Sequence, residues 1–305
     1  MGNEKSTEFI RREIEVHNAD PSRIFEARVC EISNSIIAFG YGTREDGSPN
    51  AIGTGFNVAN LVERKEGLFA TCLHVMETIA RIRDFNSTQL SDEGLIDRMR
   101  RIAFLKNGKF EWNEVGRIRF LDMIKTENGN FVKTHDVCIC NIPEITLPPL
   151  SLSPDEYFMG SELGIVGFPN FEHLQRLSVQ PYVIKTILSS HMRYPFEIEN
   201  VLTESQRIAL DCIAGEGFSG SPVFSVRDGN IVGMVDYMPT ESYIEDLKIT
   251  SPVLKEENIR VHYAAGISFA VPSKLIQRCL EYALITDWEN PGEQTYTTPR
   301  EHCLY

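Results

Sequence analysis

The chain has 305 residues, 42% hydrophobic and 24% charged, an ordinary globular composition with length for about two domains, which excludes disordered, collagen-like and low-complexity classes. Thirty Lys and Arg against 43 Asp and Glu leave a net charge of -13, so the basic footprint of a nucleic-acid binder is missing. No apolar run reaches about 18 residues, so no transmembrane helix is expected, and the first residues lack the apolar stretch of a secretory signal.

Residues 1–25 read as an N-terminal extension with a helix over 5–17. Met1-Gly2 followed by Ser6 matches the N-myristoylation pattern, against the alternative of a plain unstructured start. From Phe25, FEARVCEISNSIIAFGYG is rich in Val, Ile and aromatics and ends in glycine, which predicts strands. AIGTGFNVAN and GLFATCLHVM repeat the short-strand pattern. METIARIRDF and EGLIDRMRRI predict a helical insertion over 77–101. Strands resume in RIAFLKNG, KFEWNEV, GRIRFLDMI and VKTHDVCICNI. NIPEITLPPLSLSPDEY holds four prolines and suits neither a helix nor a central strand, so 142–160 reads as an interdomain linker. Strands return in ELGIVGFP, QPYVIKTILSSHMR, RIALDCIAG, SPVFSVRDGNIVGMVDYM and AAGISFAVP. After Pro272, a residue suited to a helix start, SKLIQRCLEYAL places Leu275, Ile276, Cys279, Leu280, Ala283 and Leu284 on one helical face. The units are therefore 26–141, 161–271, and a terminal helix and tail over 272–305.

The seven cysteines, Cys30, Cys72, Cys138, Cys140, Cys212, Cys279 and Cys303, are odd in number, include no CxxC pair and mostly lie in apolar runs. Free buried thiols in a reducing, cytoplasmic compartment are the expectation, without a disulfide framework or zinc site.

The strongest chemical signal is Gly215-Glu216-Gly217-Phe218-Ser219-Gly220-Ser221-Pro222. Glycines around a serine allow a tight turn that exposes the hydroxyl and frees backbone N–H groups to converge, although Gly/Ser turns without chemistry are common. Such a serine needs a base, usually a histidine oriented by a carboxylate. His74 closes the strand Thr71-Cys72-Leu73-His74-Val75. Asp136 opens an apolar strand, where a carboxylate is costly unless paired. His135 competes as base, but its strand neighbour Asp136 points the opposite way. An α/β-hydrolase elbow is excluded, because Ser221 stands where GxSxG requires glycine and Pro222-Val223-Phe224 continues as a strand.

In the order His, Asp, Ser, these blocks resemble the chymotrypsin-like serine peptidases, and among them the trypsin-like bacterial branch with the HtrA peptidases. Gly53-Thr54-Gly55-Phe56 resembles the strand before the histidine, and Thr71–His74 the TAAH box. Asp136-Val137 opens a DxAxL-like strand. Gly164-Ile165-Val166-Gly167-Phe168-Pro169 resembles the GxxGxP strand of the second barrel. Asp211 stands eight residues before Ser219, as in HtrA peptidases. Ser219–Val223 resembles the SGSPV of glutamyl endopeptidases, and Ile267–Ser273 the segment leading into the last helix. Phe218 replaces the aspartate that pairs with a new N-terminus in trypsin-type activation.

The resemblance implies an all-β fold of two six-stranded antiparallel barrels, with a helical insertion and a C-terminal helix. It implies a serine endopeptidase acting on a protein or peptide substrate without metal or cofactor. Ser219 would be the nucleophile, His74 the base and Asp136 its orienting group, with the N–H groups of Gly217 and Ser219 as the oxyanion hole. Ile213 would floor the substrate pocket and Met234–Tyr237 would form a wall, with Val235 and Tyr237 substrate-binding. Asp236 is the one acidic residue near that pocket, which otherwise suits a small or medium apolar P1 side chain. A silent pseudopeptidase serving as a binding module, and an enzyme gated by an activating protein or ligand, are the alternatives.

Overall fold

The computed structural model describes residues 21–43, 49–82, 101–106, 109–115, 118–120, 123–125, 131–133, 135–169, 181–198, 201–237, 245–249, 257–261 and 266–285. The helix expected over 5–17, the Gly2 and Ser6 pattern, residues 83–100 of the insertion and Cys303 lie outside these residues.

The first element is helix α1 (Pro21–Ser33), where strands were expected from Phe25. Ile24, Phe25, Val29 and Ile32 recur at helical spacing and turn inward, while Glu26, Ala27, Cys30 and Glu31 are exposed. The 3.6-residue period overrides the β-branched composition, and Pro21 suits a helix start. The Phe25 ring stacks on Phe224 at 6.0 Å and 21°, which fastens the helix to the second half of the chain.

Strands β1 (Ile36–Thr43), β2 (Pro49–Leu61) and β3 (Glu66–Thr71) form an antiparallel meander. Helix α2 (Leu73–Ile82) follows, then β4 (Arg101–Lys106), β5 (Lys109–Glu114), β6 (Ile118–Phe120), the hairpin β7 (Met123–Lys125) and β8 (Phe131–Lys133), and β9 (Cys138–Pro143). The order β5-β4-β1-β2-β3-β9-β6 makes a seven-stranded sheet rather than the expected six-stranded barrel. β5 nonetheless approaches β9, so the sheet curls toward closure.

After the proline-rich segment come β10 (Glu162–Gly167), β11 (Tyr182–Ile198), β12 (Val201–Leu210), β13 (Pro222–Ser225), β14 (Ile231–Tyr237), the hairpin β15 (Glu245–Ile249) and β16 (Glu257–Val261), and β17 (Ser268–Pro272). The order β10-β11-β12-β17-β14-β13 closes into the expected six-stranded barrel. Helix α3 (Ser273–Ile285) buries Leu275, Ile276, Cys279, Leu280 and Ala283 as expected. Leu284, placed on the same face by its spacing, is half exposed in the last turn.

One apolar core unites the first sheet, all three helices and several second-barrel residues, including Phe224, Met234 and Val271. A smaller core with Ile165, Leu210, Val223, Val235 and Ala270 fills the closed barrel. Met234 and Val235 alternate between the two, so β14 is buried on both faces and stands where the two halves meet. Among the described residues, no helix is long and apolar enough to cross a membrane.

Candidate active site

Strand β3 ends at Thr71, and the chain turns into α2 within three residues, which puts His74 in the first helical turn. The backbone N–H of His74 donates to Asp136 Oδ1 at 2.9 Å. Its ring Nδ1 pairs with Asp136 Oδ2. Thr71 pairs with Cys138 at the start of β9, and this register brings the segments carrying His74 and Asp136 side by side. A carboxylate only accepts, so Nδ1 carries the ring proton and Nε2 is left as the acceptor. Asp136 is mostly buried, while the imidazole is 36% exposed. Of the two histidines offered as base, His74 is seen bonded to Asp136 through both its backbone and its ring.

Ser219 comes from the loop before β13. Its half-buried position follows from a tight backbone. Phe218 N–H donates to Gly215 C=O at 3.2 Å, and Gly217 lies at φ +88. A positive φ at the third residue is the mark of a type II turn and favours glycine. Among the described residues, the N–H groups of Gly217 and Ser219 donate to no other group.

Four hydrogen bonds from three other short motifs converge on Thr54. Its N–H donates to Ser219 C=O at 2.8 Å, and its carbonyl accepts from Thr71 Oγ1 at 2.7 Å. Its hydroxyl accepts from Phe168 N–H at 2.9 Å and donates to Gly217 C=O at 3.1 Å. Val235 C=O supplies a second junction, accepting Gly220 N–H at 2.7 Å and the Cys72 thiol at 3.1 Å. The histidine strand and the serine loop are therefore held by shared backbone atoms. Sequence reasoning noted the Gly-Thr-Gly block but not the linking role of its threonine.

The expected substrate pocket is redrawn in part. Ile213 is 53% exposed beside the serine loop, available to a ligand. Val235 is 2% exposed and packed in the second core, so its side chain is not a pocket wall; it serves through its backbone. Tyr237 ends β14, and its side chain lies outside the described residues. Asp236 is buried, with its Oδ2 on Arg207 Nε at 2.6 Å, and does not line an open pocket. Burial pushes the Asp236 carboxyl up to about 6, against the downward pull of Arg207.

Cys72, His74 and Asp136 each bring a donor atom within 4.8 Å of the others, the one group of metal-ligand composition among the described residues. These donors already serve in hydrogen bonds, the thiol to Val235 and the other two to each other. The six described cysteines are free thiols. Burial raises Cys140 to about 12, so that thiol stays protonated and inert.

The family described as trypsin-like peptidase domain matches residues 53–234, more than half of the chain. No curated protein matches it. Among solved structures, the active form of the Rv3671c protease from M. tuberculosis aligns at 14% identity and a TM-score of 0.52, covering 86% of each chain. The inactive form of a serine-to-alanine mutant of Rv3671c aligns at 13% identity and 0.50, covering 88% of this chain and 95% of that one. At these identities the likeness concerns fold alone. With the closed barrel, the facing sheet and the C-terminal helix, the match over 53–234 makes this chain a member of the trypsin-like peptidase domain family.

Proposed function

We propose that the protein is a serine endopeptidase with Ser219, His74 and Asp136 as its triad. The observation that carries this reading is the double hydrogen bonding of His74 to Asp136, through backbone and ring, on segments tied to the serine loop. His74 Nε2 takes the Ser219 proton as the hydroxyl attacks the scissile carbonyl, then gives it to the leaving amine. Asp136 fixes the tautomer and steadies the imidazolium. The unengaged N–H groups of Gly217 and Ser219 receive the oxyanion, a contribution of about 3–4 kcal/mol per donor. Water then releases the acyl group by the same proton path.

The substrate is a protein or peptide with a small or medium apolar P1 side chain. The exposure of Ile213 and the sequestration of Asp236 by Arg207 support that preference. The abundance of free thiols supports a reducing, cytoplasmic setting.

A gated form of the same enzyme has one observation in its favour. Among the described residues, the Ser219 hydroxyl makes no hydrogen bond to His74. Catalytic hydrogen bonds often close only with substrate present. An activating protein or ligand would act by closing this contact. Cleavage of a peptide library by the wild type, with none by Ser219→Ala, is the expected result. Equal cleavage by Ser219→Ala would remove the reading, and dominant cleavage after Arg or Lys would remove the apolar pocket.

A further inference from the structure

Asp236 is a second buried carboxylate that the mechanism above does not use; it follows Val235, whose C=O accepts the Cys72 thiol at 3.1 Å, and that sulfur lies within 4.8 Å of the His74 and Asp136 donor atoms. Asp236 sits on β14 at the irregularity between Val235 and Tyr237, where its pairing with β17 shifts register. It is 4% exposed. One oxygen, Oδ2, is held by Arg207 Nε at 2.6 Å, and the other, Oδ1, is buried without a hydrogen-bond partner. Three charged groups act on it: Arg207 from β12, Asp136 from the segment entering β9, and His74 from α2. Val235 and Ala270, neighbours on β14 and β17, contribute only apolar surface.

Two carboxylates cannot both stay ionised in one poorly solvated region unless a cation compensates. Arg207 is that cation. Its side chain is 14% exposed and also walls a cavity of about 310 Å3 bounded by Tyr157, His191, Arg193 and Lys274, so solvent reaches the guanidinium. Mere neutralisation would be met equally well by an apolar pair, which commonly replaces a buried ion pair without loss of stability. The placement of the negative member next to His74 suits a different task.

We propose that Asp236 is a positioning residue for the His74–Asp136 pair, its buried negative charge steadying the imidazolium that forms when His74 takes the Ser219 proton, and that Arg207 keeps it ionised. The proposal rests on the triad reading above. In a low-dielectric site a fixed charge aimed at developing charge acts with no reorganisation at the moment of reaction. Acid then silences the enzyme at two groups, since His74 must be neutral and Asp236 ionised for full activity. Burial raises the Asp236 carboxyl to about 6.

The test is the rate of fluorophosphonate labelling of Ser219 between about pH 4.5 and 9. The wild type should show an acid limb steeper than one proton. Asp236→Asn should lower the plateau rate about 10-fold and reduce the limb to a single proton. Arg207→Gln should move the limb to higher pH and recover to within about 3-fold of wild type at the alkaline end, where Asp236 ionises unaided. Arg207→Lys, which keeps the charge, should retain the steep limb and guards against misfolding of the other two. Wild-type labelling with a one-proton limb, or variants lowered by one constant factor at every pH, would overturn the positioning role while leaving the triad intact. No labelling of the wild type at any pH, even with peptide substrates present, would overturn the triad reading and this proposal with it.

Discussion

Thr54 and Ser219 share a backbone hydrogen bond of 2.8 Å across the junction of the two halves, from the threonine N–H to the serine C=O. The serine loop is thus an extra rung on β2, and its position is set by the first half of the chain as well as by its own barrel, where Gly220 N–H donates to Val235 C=O. The Thr54 hydroxyl carries the same connection to Gly217 and Phe168. Thr54→Val keeps the shape but leaves the buried Phe168 N–H without an acceptor. The variant should lose about 1–3 kcal/mol of stability in denaturant unfolding. Its kcat should fall with little change in KM, because in the proposed mechanism the affected loop holds the transition state more than the substrate. Thr54→Ser should restore both; a Thr54→Val protein indistinguishable from wild type would detach Thr54 from the site.

Gly220 offers a sharper steric test. It lies at φ +87, and a β-carbon there would come within 1.9 Å of Thr54 C=O. Gly160, at φ +85, has nothing within 4 Å of the same position. Gly160→Ala therefore pays only for backbone strain, on the order of 1–2 kcal/mol. Gly220→Ala should cost clearly more in thermal unfolding and abolish activity. Equal melting temperatures for the two variants would contradict the close approach of β2 to the serine loop.

Asp136→Asn should reduce kcat/KM about 10⁴-fold with the fold intact, since the amide no longer selects the Nδ1–H tautomer. Ser219→Ala should abolish turnover and leave the melting temperature within about 2 °C, because it removes one half-exposed oxygen. An Asp136→Asn enzyme within a few-fold of wild type would exclude Asp136 from the mechanism.

The pH dependence of stability should carry the signature of Asp236. Burial raises this carboxyl from 3.8 to about 6 in the folded protein, despite Arg207. Between those values the folded state holds a proton that the unfolded chain has released. Its contribution to stability therefore falls as pH rises through that window and stays lost above it. Asn cannot ionise, so Asp236→Asn should gain stability relative to wild type from about pH 4 to about pH 6 and hold level beyond. A stability difference that is flat, or that slopes the other way, would place Asp236 in a solvated or more strongly compensated environment.

Much of this was legible in the sequence because the motifs answer to local physics. A glycine at φ +88 or +87, a histidine ending a strand and an aspartate opening one each leave a mark on residue type at a fixed place. The terminal helix was visible for the same reason, its apolar positions repeating over three turns. Helix α1 was missed because Val29 and Ile32 fit a strand by composition, and only packing decides between the two periods. The Arg207–Asp236 pair left no sequence signal, since it depends on β17 standing between β12 and β14. Val235 was misread for a related reason: β14 has a core on each side, so alternation gives no outward face there.

The most direct test of the central claim is fluorophosphonate labelling of the wild-type protein, with the modified peptide identified by mass spectrometry. The account predicts one adduct, on Ser219, lost in Ser219→Ala and slowed by orders of magnitude in His74→Ala. An adduct on another residue, or a folded wild type that stays unlabelled even with peptide substrates present, would contradict it.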